Sequence, residues 1–351
     1  MKKIYVHGSF RGSNFGDYLL FKLVDSAVKN CNCTTVYDHV SAEYQALNPV
    51  EEKSILGALL NSDAVLCAGG GFFGEPRTKD YRWDLRCIYF HAVPLLLATL
   101  LRKPIAIVGT ELGDISNPIL KFILKRILKN AKIISVRNNK SLAFVNRLVP
   151  GIEAVAHPDW VLTSDFSKLF PVQLKENSKY TIFLHITIQD TEKLKELCCG
   201  INHMLKMDSE IRIILGLDHD TASNRSAVNY MMANLNSNVV ERYDYRTPKE
   251  FIQVLNDADC IITTKLHVGI CGIRLGKDII SLPRHPKIRR FYEYIHYDMQ
   301  FVREYSSVTA AELENLILKC KAGECKYSNI GLIEDADKNF ALLSDFVNKM
   351  I

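Results

Sequence analysis

The residues of this chain that could do chemistry follow short apolar runs. "TTKLHVG" places Lys265 and His267 after an apolar strand pattern, at the start of an apolar helix pattern. "SLPRHPKIRRF", about twenty residues on, places Lys287 among further basic residues. Histidine can give up a proton near neutral pH, and lysine can bind a phosphate or carboxylate group. The pattern indicates an anion-binding catalytic site, or else a structural histidine beside a solvated basic face.

A second candidate group lies near the N-terminus. "GSFRGSNFGDYLL" carries Asn14, Gly16 and Asp17 between a strand pattern and a helix pattern. Asp17 either stabilises the start of that helix through capping and the helix dipole, or faces a ligand as a carboxylate able to deprotonate a hydroxyl. The sequence leaves both roles open.

Two more strand ends carry candidate ligand contacts. In "AGGGFFGEP" the glycines Gly69, Gly70 and Gly71 either let a ligand approach the backbone closely or form a tight turn. The run has neither the lysine of a P-loop nor the spacing of a dinucleotide-binding fingerprint. "IISVRNNKSLAFV" places Arg137 at a strand exit, as a surface residue or an anion clamp.

The elements that position these residues alternate along the chain. Short β-branched runs are followed by longer helical patterns, which predicts an α/β protein with parallel sheets. The polar segment "TSDFSKLFPVQLKENSK" interrupts the pattern as a linker. It separates domains predicted over residues 1–165 and 178–351, with a last helix that could pack back on the first domain. We expect two Rossmann-like domains facing across a cleft, with ligands beyond the carboxyl ends of the strands.

Composition excludes several classes of protein. The 351 residues include 48% hydrophobic and 24% charged residues with a net charge of +5, and no tract resembles a nucleic-acid-binding arm. The ten cysteines are scattered through apolar stretches without metal-ligand spacing, which favours reduced thiols and no metal site. The longest apolar run, "AVPLLLATLL", is about half a membrane span. We therefore expect a cytoplasmic protein, and the sequence does not indicate its oligomeric state.

Four stretches taken together resemble one known family. "RGSNFGDYLL", "DAVLCAGGGFF", "IISVRNNKSLAFV" with "PDWVL", and "TTKLHVGICGIRLGKDIISLPRHPKIRRF" resemble the polysaccharide pyruvyl transferase family, in the family's order, over roughly residues 4–295. The resemblance implies a fold like that of the two-domain GT-B glycosyltransferases. It also implies transfer of the enolpyruvyl-derived group of phosphoenolpyruvate to a sugar as a pyruvate ketal, without a cofactor. The implied acceptor is a lipid-linked repeat unit at the cytoplasmic face of the membrane.

The resemblance also implies roles for individual residues. The family's Arg-Leu-His motif matches Lys265-Leu266-His267, so that lysine stands where the family has arginine. His267 would protonate the methylene carbon of the donor, and Asp17 would be the base. The implied donor ligands are Arg137, Thr264, Lys265, Leu266 and Lys287, and the implied acceptor contacts are Asn14, Gly16, Gly69, Gly70 and Gly71.

Other functions share these features. A GT-B glycosyltransferase with a nucleotide-sugar donor would have the same fold, basic residues and glycine loops. A non-catalytic sugar- or polyphosphate-binding protein would fit the lysine at position 265. A nicotinamide-dependent oxidoreductase is suggested by "AGGG" alone.

One helix pattern has a possible second use. Residues 119–129 combine Lys121, Lys125, Arg126 and Lys129 with an apolar stripe of Ile119, Phe122, Ile123 and Ile127. The stripe is expected to pack on the protein's own sheet. Alternatively, the basic face of the helix also attracts anionic membrane lipid.

Overall fold

The chain forms two compact units. The computed structural model describes residues 1–74, 81–113, 115–174, 178–188, 190–235 and 237–350, apart from the side chains of Ser237 and Met350. The first unit comprises Met1–Ser13, Asp17–Phe166 and Gly331–Ile351, and the second comprises Asn14–Gly16 and Ser167–Ile330. The predicted linker contains a short helix, Asp165–Leu169. Its residues 175–177 lie outside the described part of the chain.

A parallel sheet organises the first unit. The strands are β1 (Lys2–His7), β2 (Cys33–Tyr37), β3 (Glu51–Glu52), β4 (Ala64–Ala68), β5 (Phe73–Gly74), β6 (Ile105–Thr110), β7 (Leu112–Gly113), β8 (Ala131–Val136) and β9 (Val155–Ala156). Seven of them pair in the order β3-β2-β1-β4-β6-β8-β9, and β5 pairs with β7. Strands such as β4 and β6 are buried along their whole length, as expected for a sheet covered on both faces.

A second parallel sheet organises the other unit. Its strands are β10 (Tyr180–His185), β11 (Ile211–Gly216), β12 (Val240–Tyr243), β13 (Cys260–Thr263) and β14 (Asp278–Ser281), in the order β12-β11-β10-β13-β14. All the longer predicted strands are therefore present. The short strands β3, β5, β7 and β9 have two residues each and carry too little pattern to be predicted.

Helices connect the strands of both units. They are α1 (Phe15–Asn30), α2 (Ala42–Leu47), α3 (Ile55–Leu60), α4 (Tyr81–Cys87), α5 (Val93–Leu100), α6 (Pro118–Asn130), α7 (Asn139–Leu148), α8 (Asp165–Leu169), α9 (Thr191–Met207), α10 (Ala222–Asn234), α11 (Pro248–Asn256), α12 (Leu266–Arg274), α13 (Pro286–Tyr294), α14 (Ala310–Lys321) and α15 (Ile330–Met350). A π-helical turn, Ile88–Ala92, joins α4 to α5. Short 3-10 helices span Trp160–Leu162, Ser237–Val239 and Met299–Phe301.

The last helix is tied into the first unit by a buried amide. Asn339 of α15 is fully buried. Its Oδ1 accepts a hydrogen bond from Ser135 Oγ at 2.7 Å, and its Nδ2 donates to the Pro158 carbonyl at 2.8 Å. Because a buried amide is costly to leave unpaired, these bonds hold α15 in register against β8.

The apolar face of α6 differs from the predicted stripe. The buried side chains are Leu120, Ile123, Leu124, Ile127 and Leu128. Ile119 and Phe122, which the prediction assigned to that face, are each 62% exposed. The error arose because a chain with apolar residues at 119, 120, 122, 123 and 124 allows more than one stripe of helical period. Within the described residues, no helix is both long and apolar enough to cross a membrane.

Candidate functional site

Two neighbouring helices of the second unit begin at the carboxyl edge of its sheet. Helix α12 follows β13 and α13 follows β14, and the two strands are paired. The N-cap residues, Lys265 and His285, make no side-chain hydrogen bond to the helix N–H groups. In the same unit, α9, α10, α11 and α14 are capped by Asp or Thr. The first-turn N–H groups of α12 and α13 are therefore suited to an anion, which the helix dipole also attracts.

Cations converge on these two helix starts. Burial lowers the pKa of His285, and the neighbouring charges of Lys287, Arg284 and Lys265 lower it further. The three cations thus act on one imidazole, which stays neutral at neutral pH. The buried hydroxyl of Thr264, directly before Lys265, has no hydrogen-bond partner within the described residues. A phosphate or carboxylate bound here would meet several positive charges and hydrogen-bond donors.

A buried acidic residue stands behind Lys265. Lys265 Nζ lies 3.6 Å from Asp218 Oδ2, and His185 Nε2 lies 3.1 Å from Asp218 Oδ1. Burial alone would raise the pKa of Asp218, but His185 and then Lys265 bring it below its usual range. On the other side of the imidazole, His185 Nδ1 lies 3.1 Å from Thr263 Oγ1. The same hydroxyl oxygen accepts a hydrogen bond from the Lys265 backbone N–H at 3.0 Å. This network orients the segment that leads from β13 into α12.

His267 lies in the first turn of α12 and packs against a glycine. Gly16 belongs to the second unit, and a Cβ added there would lie 1.9 Å from His267 Nδ1. The Gly16 N–H donates to Asn14 Oδ1 at 2.9 Å, which closes a tight turn. The absence of a side chain at position 16 therefore allows the backbone to approach the imidazole. This gives a physical reason for the glycine in residues 14–17, which form an Asn-x-Gly-Asp element.

Arg137 is buried in the first unit between two carboxylates. Its Nη2 pairs with Glu111 at very short range, and its Nη1 lies 3.2 Å from Asp159 Oδ2. Burial would lower the pKa of Arg137, but Glu111 and Asp159 together raise it. A Cβ on Gly71 would lie 2.9 Å from Arg137 Nη2 and 3.0 Å from Glu111 Oε2, so the glycine run passes directly over this ion cluster. The guanidinium therefore does not present an uncompensated charge, and its predicted role in donor binding stays a prediction.

The other two glycines of the run have a conformational role. Gly69 has φ of +66° and Gly70 has φ of +77°, a region that residues with a side chain rarely adopt. The turn after β4 therefore requires glycine here. Their predicted contact with an acceptor stays a prediction.

A second polar cluster lies at the carboxyl edge of the first sheet. His7 Nε2 lies 3.2 Å from His91 Nδ1, and His7 Nδ1 lies 3.8 Å from Asp38 Oδ1. Phe72 stacks on the His91 ring with centroids 4.3 Å apart. Burial and the neighbouring His7 lower the pKa of His91 to about 3, so its imidazole is neutral. His91 lies in the π-helical turn, a feature frequently found at functional sites.

The structure groups some of the predicted residues within the second unit, and the others belong to the first unit. Thr264, Lys265, Leu266 and His267 form one segment, and Lys287 acts on the same imidazole as Lys265. Asp17, in the first turn of α1, belongs to the first unit, as do Arg137 and the glycine run.

The sequence interpretation missed four polar residues at the ends of strands. They are His7, Glu111, His185 and Asp218, which stand at or within two residues of the ends of β1, β6, β10 and β11. The rule that ligands bind beyond the carboxyl ends of parallel strands would have found them. Among the described residues, no group of three His, Cys, Asp or Glu side chains is arranged to hold a metal ion.

Comparison with known families tests the resemblance seen in the sequence. The sequence model described as "Polysaccharide pyruvyl transferase" matches residues 14–286. The chain belongs to the polysaccharide pyruvyl transferase family. The match covers the Asn-x-Gly-Asp element, the glycine run, Arg137 and the whole Lys265-Leu266-His267 segment, and it confirms the predicted resemblance. No curated protein sequence matches this pyruvyl transferase family member.

Solved structures show that this family member shares its fold with sugar-nucleotide enzymes. A UDP-GlcNAc 2-epimerase from Methanocaldococcus jannaschii is 13% identical, with a TM-score of 0.68 over 98% of this chain and 100% of that chain. The corresponding Neisseria meningitidis enzyme, bound to UDP-GlcNAc, is 12% identical, with a TM-score of 0.63 over 99% and 100%. Anabaena HepE in complex with UDP and glucose is 12% identical, with a TM-score of 0.54 over 99% and 97%. At such identities the likeness shows the fold alone, and it confirms the predicted GT-B-like class with two Rossmann-like units.

Proposed function

We propose that the chain transfers the pyruvyl group of phosphoenolpyruvate to two hydroxyls of one sugar, which forms a cyclic ketal. The observation that carries the proposal is the pair of helix starts at α12 and α13, whose N–H groups receive no capping side chain and lie near Lys265, Arg284 and Lys287. Phosphoenolpyruvate has a phosphate and a carboxylate on three carbons, so tight binding needs several cations and N–H donors in a small space.

The donor contacts follow from the charges of the second unit. Lys265 and Lys287 would bind the two anionic groups, with the N–H groups of both helices and the Thr264 hydroxyl as further donors. The compact ammonium of Lys265 suits a phosphate better than the planar carboxylate. Leu266 is buried and holds the first turn of α12 against its sheet. Arg137 would contribute to binding in a different way. Together with Glu111 and Asp159 it forms a cluster of two negative charges and one positive charge. That balance suits acceptor hydroxyls better than a further anion.

The chemistry needs an acid and a base. His267 gives a proton to the methylene carbon of the donor, and C2 becomes electrophilic as its double bond is lost. One sugar hydroxyl attacks C2, the C2–oxygen bond to phosphate breaks, and the second hydroxyl then attacks C2. The two hydroxyl protons balance the proton gained by the methyl group and the proton taken by phosphate. Asp17 is the proposed base for the first hydroxyl. No cofactor is needed, because every bond made or broken belongs to the two substrates.

The acceptor is proposed to be a lipid-linked precursor of a cell-envelope polysaccharide at the cytoplasmic face of the membrane. Asn14, Gly16 and the glycine run Gly69–Gly71 are the proposed contacts. The neutral His91 ring stacked with Phe72 supports this assignment, because aromatic and uncharged polar groups together suit a sugar.

The test is incubation with phosphoenolpyruvate and a panel of synthetic and lipid-linked oligosaccharides, followed by mass spectrometry and a phosphate assay. We expect one oligosaccharide to gain a carboxyethylidene group as one phosphate is released. In parallel, a folded His267→Gln protein at saturating donor should turn over about 10²- to 10⁴-fold more slowly, with donor affinity much less affected. Turnover within a few-fold of wild type would remove His267 as the acid.

The structural neighbours supply the alternative donor. Two of them are described as complexes with UDP or UDP-GlcNAc. If this chain were a glycosyltransferase with a nucleotide-sugar donor, UDP-sugars would raise its melting temperature and phosphoenolpyruvate would have no effect. We expect the opposite result.

A further inference from the structure

The positive charge of the chain is concentrated in one part of the first unit. Residues 85–152 contain eleven lysines and arginines against two acidic residues, an excess of nine in a chain whose net charge is +5. One of the two acidic residues, Glu111, is buried against Arg137. Lys125, Arg126 and Lys129 of α6 are exposed and form no ion pair within the described residues. The solvent-facing side of α6 is therefore cationic.

Large apolar side chains are exposed beside these charges. On α6, Ile119 and Phe122 are each 62% exposed and lie one helical turn apart. Phe122 shares its face of the helix with Lys125 and Arg126, at the three- and four-residue spacings that make side chains neighbours. A contiguous exposed apolar patch beside charged residues is typical of an interaction surface.

A second row of exposed large side chains lies on α4 and the π-helical turn that follows it. Tyr81, Leu85 and Tyr89 are 68%, 59% and 64% exposed, at four-residue intervals along α4 and into the π-helical turn. Helix α6 packs against that turn and against α5. Because β4, β6 and β8 are successive neighbours in a parallel sheet, both crossover helices lie on one face and start at its carboxyl edge. The exposed apolar residues therefore lie in the N-terminal parts of both helices, towards that edge.

We propose that this surface, Tyr81, Leu85, Tyr89, Ile119 and Phe122 with the basic residues of α6, docks on an anionic lipid bilayer. The apolar side chains would enter the headgroup boundary, and Lys125, Arg126 and Lys129 would lie against lipid phosphates. A lipid fits better than a protein groove because the cations are long, unpaired with carboxylates and set beside the apolar residues on the same helix face. The surface is independent of the donor chemistry proposed above, since it uses none of the residues assigned to phosphoenolpyruvate.

The test is sedimentation with phosphatidylcholine vesicles that either contain or lack phosphatidylglycerol, without any substrate. The wild-type chain should bind only the anionic vesicles. The Lys125→Glu/Arg126→Glu variant should lose binding roughly 30-fold or more, since each basic residue near such a surface contributes substantially. Ile119→Ser/Phe122→Ser should lose binding about tenfold, because its apolar anchors are gone.

Two matched variants control for exposure and charge. Leu56→Ser/Leu60→Ser removes apolar residues of α3 that are 54% and 62% exposed, and Lys195→Glu/Lys206→Glu makes the same charge change on exposed positions of α9. Both should bind like the wild type. Equal binding to neutral and anionic vesicles, or equal losses in the matched variants, would overturn the proposal. The proposal would also be overturned if the wild-type chain were a dimer that Ile119→Ser/Phe122→Ser dissociates while vesicle binding stays unchanged. The partner of this surface would then be a second copy of the chain. Release of phosphate from phosphoenolpyruvate with a soluble acceptor should be unchanged in all four variants, which separates this test from that of the proposed function.

Discussion

Lys265 Nζ lies 3.6 Å from Asp218 Oδ2, on a carboxylate whose other oxygen lies 3.1 Å from His185. The two partners differ sharply in environment, because the Lys265 side chain is 43% exposed and that of Asp218 only 5%. The acidic residue is part of the interior of the unit, and the lysine is at its surface. Substitutions at the two positions should therefore have different consequences.

The first prediction separates binding from stability at this pair. Lys265→Ala should weaken phosphoenolpyruvate binding about 10- to 100-fold, as expected for a lost charge-assisted hydrogen bond. Its effect on the free energy of unfolding should stay within about 1 kcal/mol, since the Lys265 side chain is 43% exposed and His185 remains beside Asp218. Asp218→Ala should instead destabilise the protein by about 1–3 kcal/mol, because it leaves buried His185 without its partner. Calorimetry of binding and urea unfolding measure the two effects, and a stable Asp218→Ala protein would contradict the assignment.

The second prediction concerns Arg137. Arg137→Ala should destabilise the protein by about 3–5 kcal/mol, because Glu111 and Asp159 would then be buried without a counter-charge. Replacing Arg126, an exposed arginine of the same unit, should leave unfolding unchanged. Thermal and urea unfolding of both variants give the comparison. A fully stable Arg137→Ala protein that has lost only donor affinity would instead support the predicted role of Arg137 as a direct ligand of phosphoenolpyruvate.

The third prediction uses His285 as an internal probe. Lys287, Arg284 and Lys265 contribute to the lowering of its pKa. A bound anion offsets those charges, so the pKa of His285 should rise when phosphoenolpyruvate binds. NMR titration of the histidine ring protons measures the change, and His39, exposed on the first unit, serves as the reference. No change at saturating donor would place the anion elsewhere.

The fourth prediction concerns the pH dependence of stability at His91. Its pKa is lowered to about 3 in the folded chain, whereas an unfolded histidine titrates near about 6.5. Between these values the unfolded chain binds a proton that the folded chain does not. The contribution of neutral His91 to the free energy of unfolding is therefore complete above the unfolded pKa and is lost as pH falls towards the folded pKa. Replacing His91 by phenylalanine should remove about 2 kcal/mol of the loss between pH 7 and pH 5. Urea unfolding at both pH values of wild type and variant checks this, and identical losses would rule it out.

The sequence by itself determined the order of the elements and the family. Strand β4 is a continuous apolar run of five residues, AVLCA, and that pattern is local, so it could be recognised without a structure. The segment Lys265-Leu266-His267 could likewise be placed at a strand-to-helix turn, because the apolar periodicity changes there.

The tertiary structure decided which charges are paired and which face of each helix is covered. Arg137, Glu111 and Asp159 are separated by more than twenty residues along the chain, so their shared burial could not be seen in the sequence. Asp218 and His185 meet Lys265 only because β10 lies between β11 and β13 in the sheet. On α6, a run with so many apolar residues allows several stripes, and only packing selects Leu120 and Leu124 for the core and leaves Ile119 and Phe122 exposed. Charge pairing and burial depend on contacts between distant residues, whereas element order depends on neighbours in the chain.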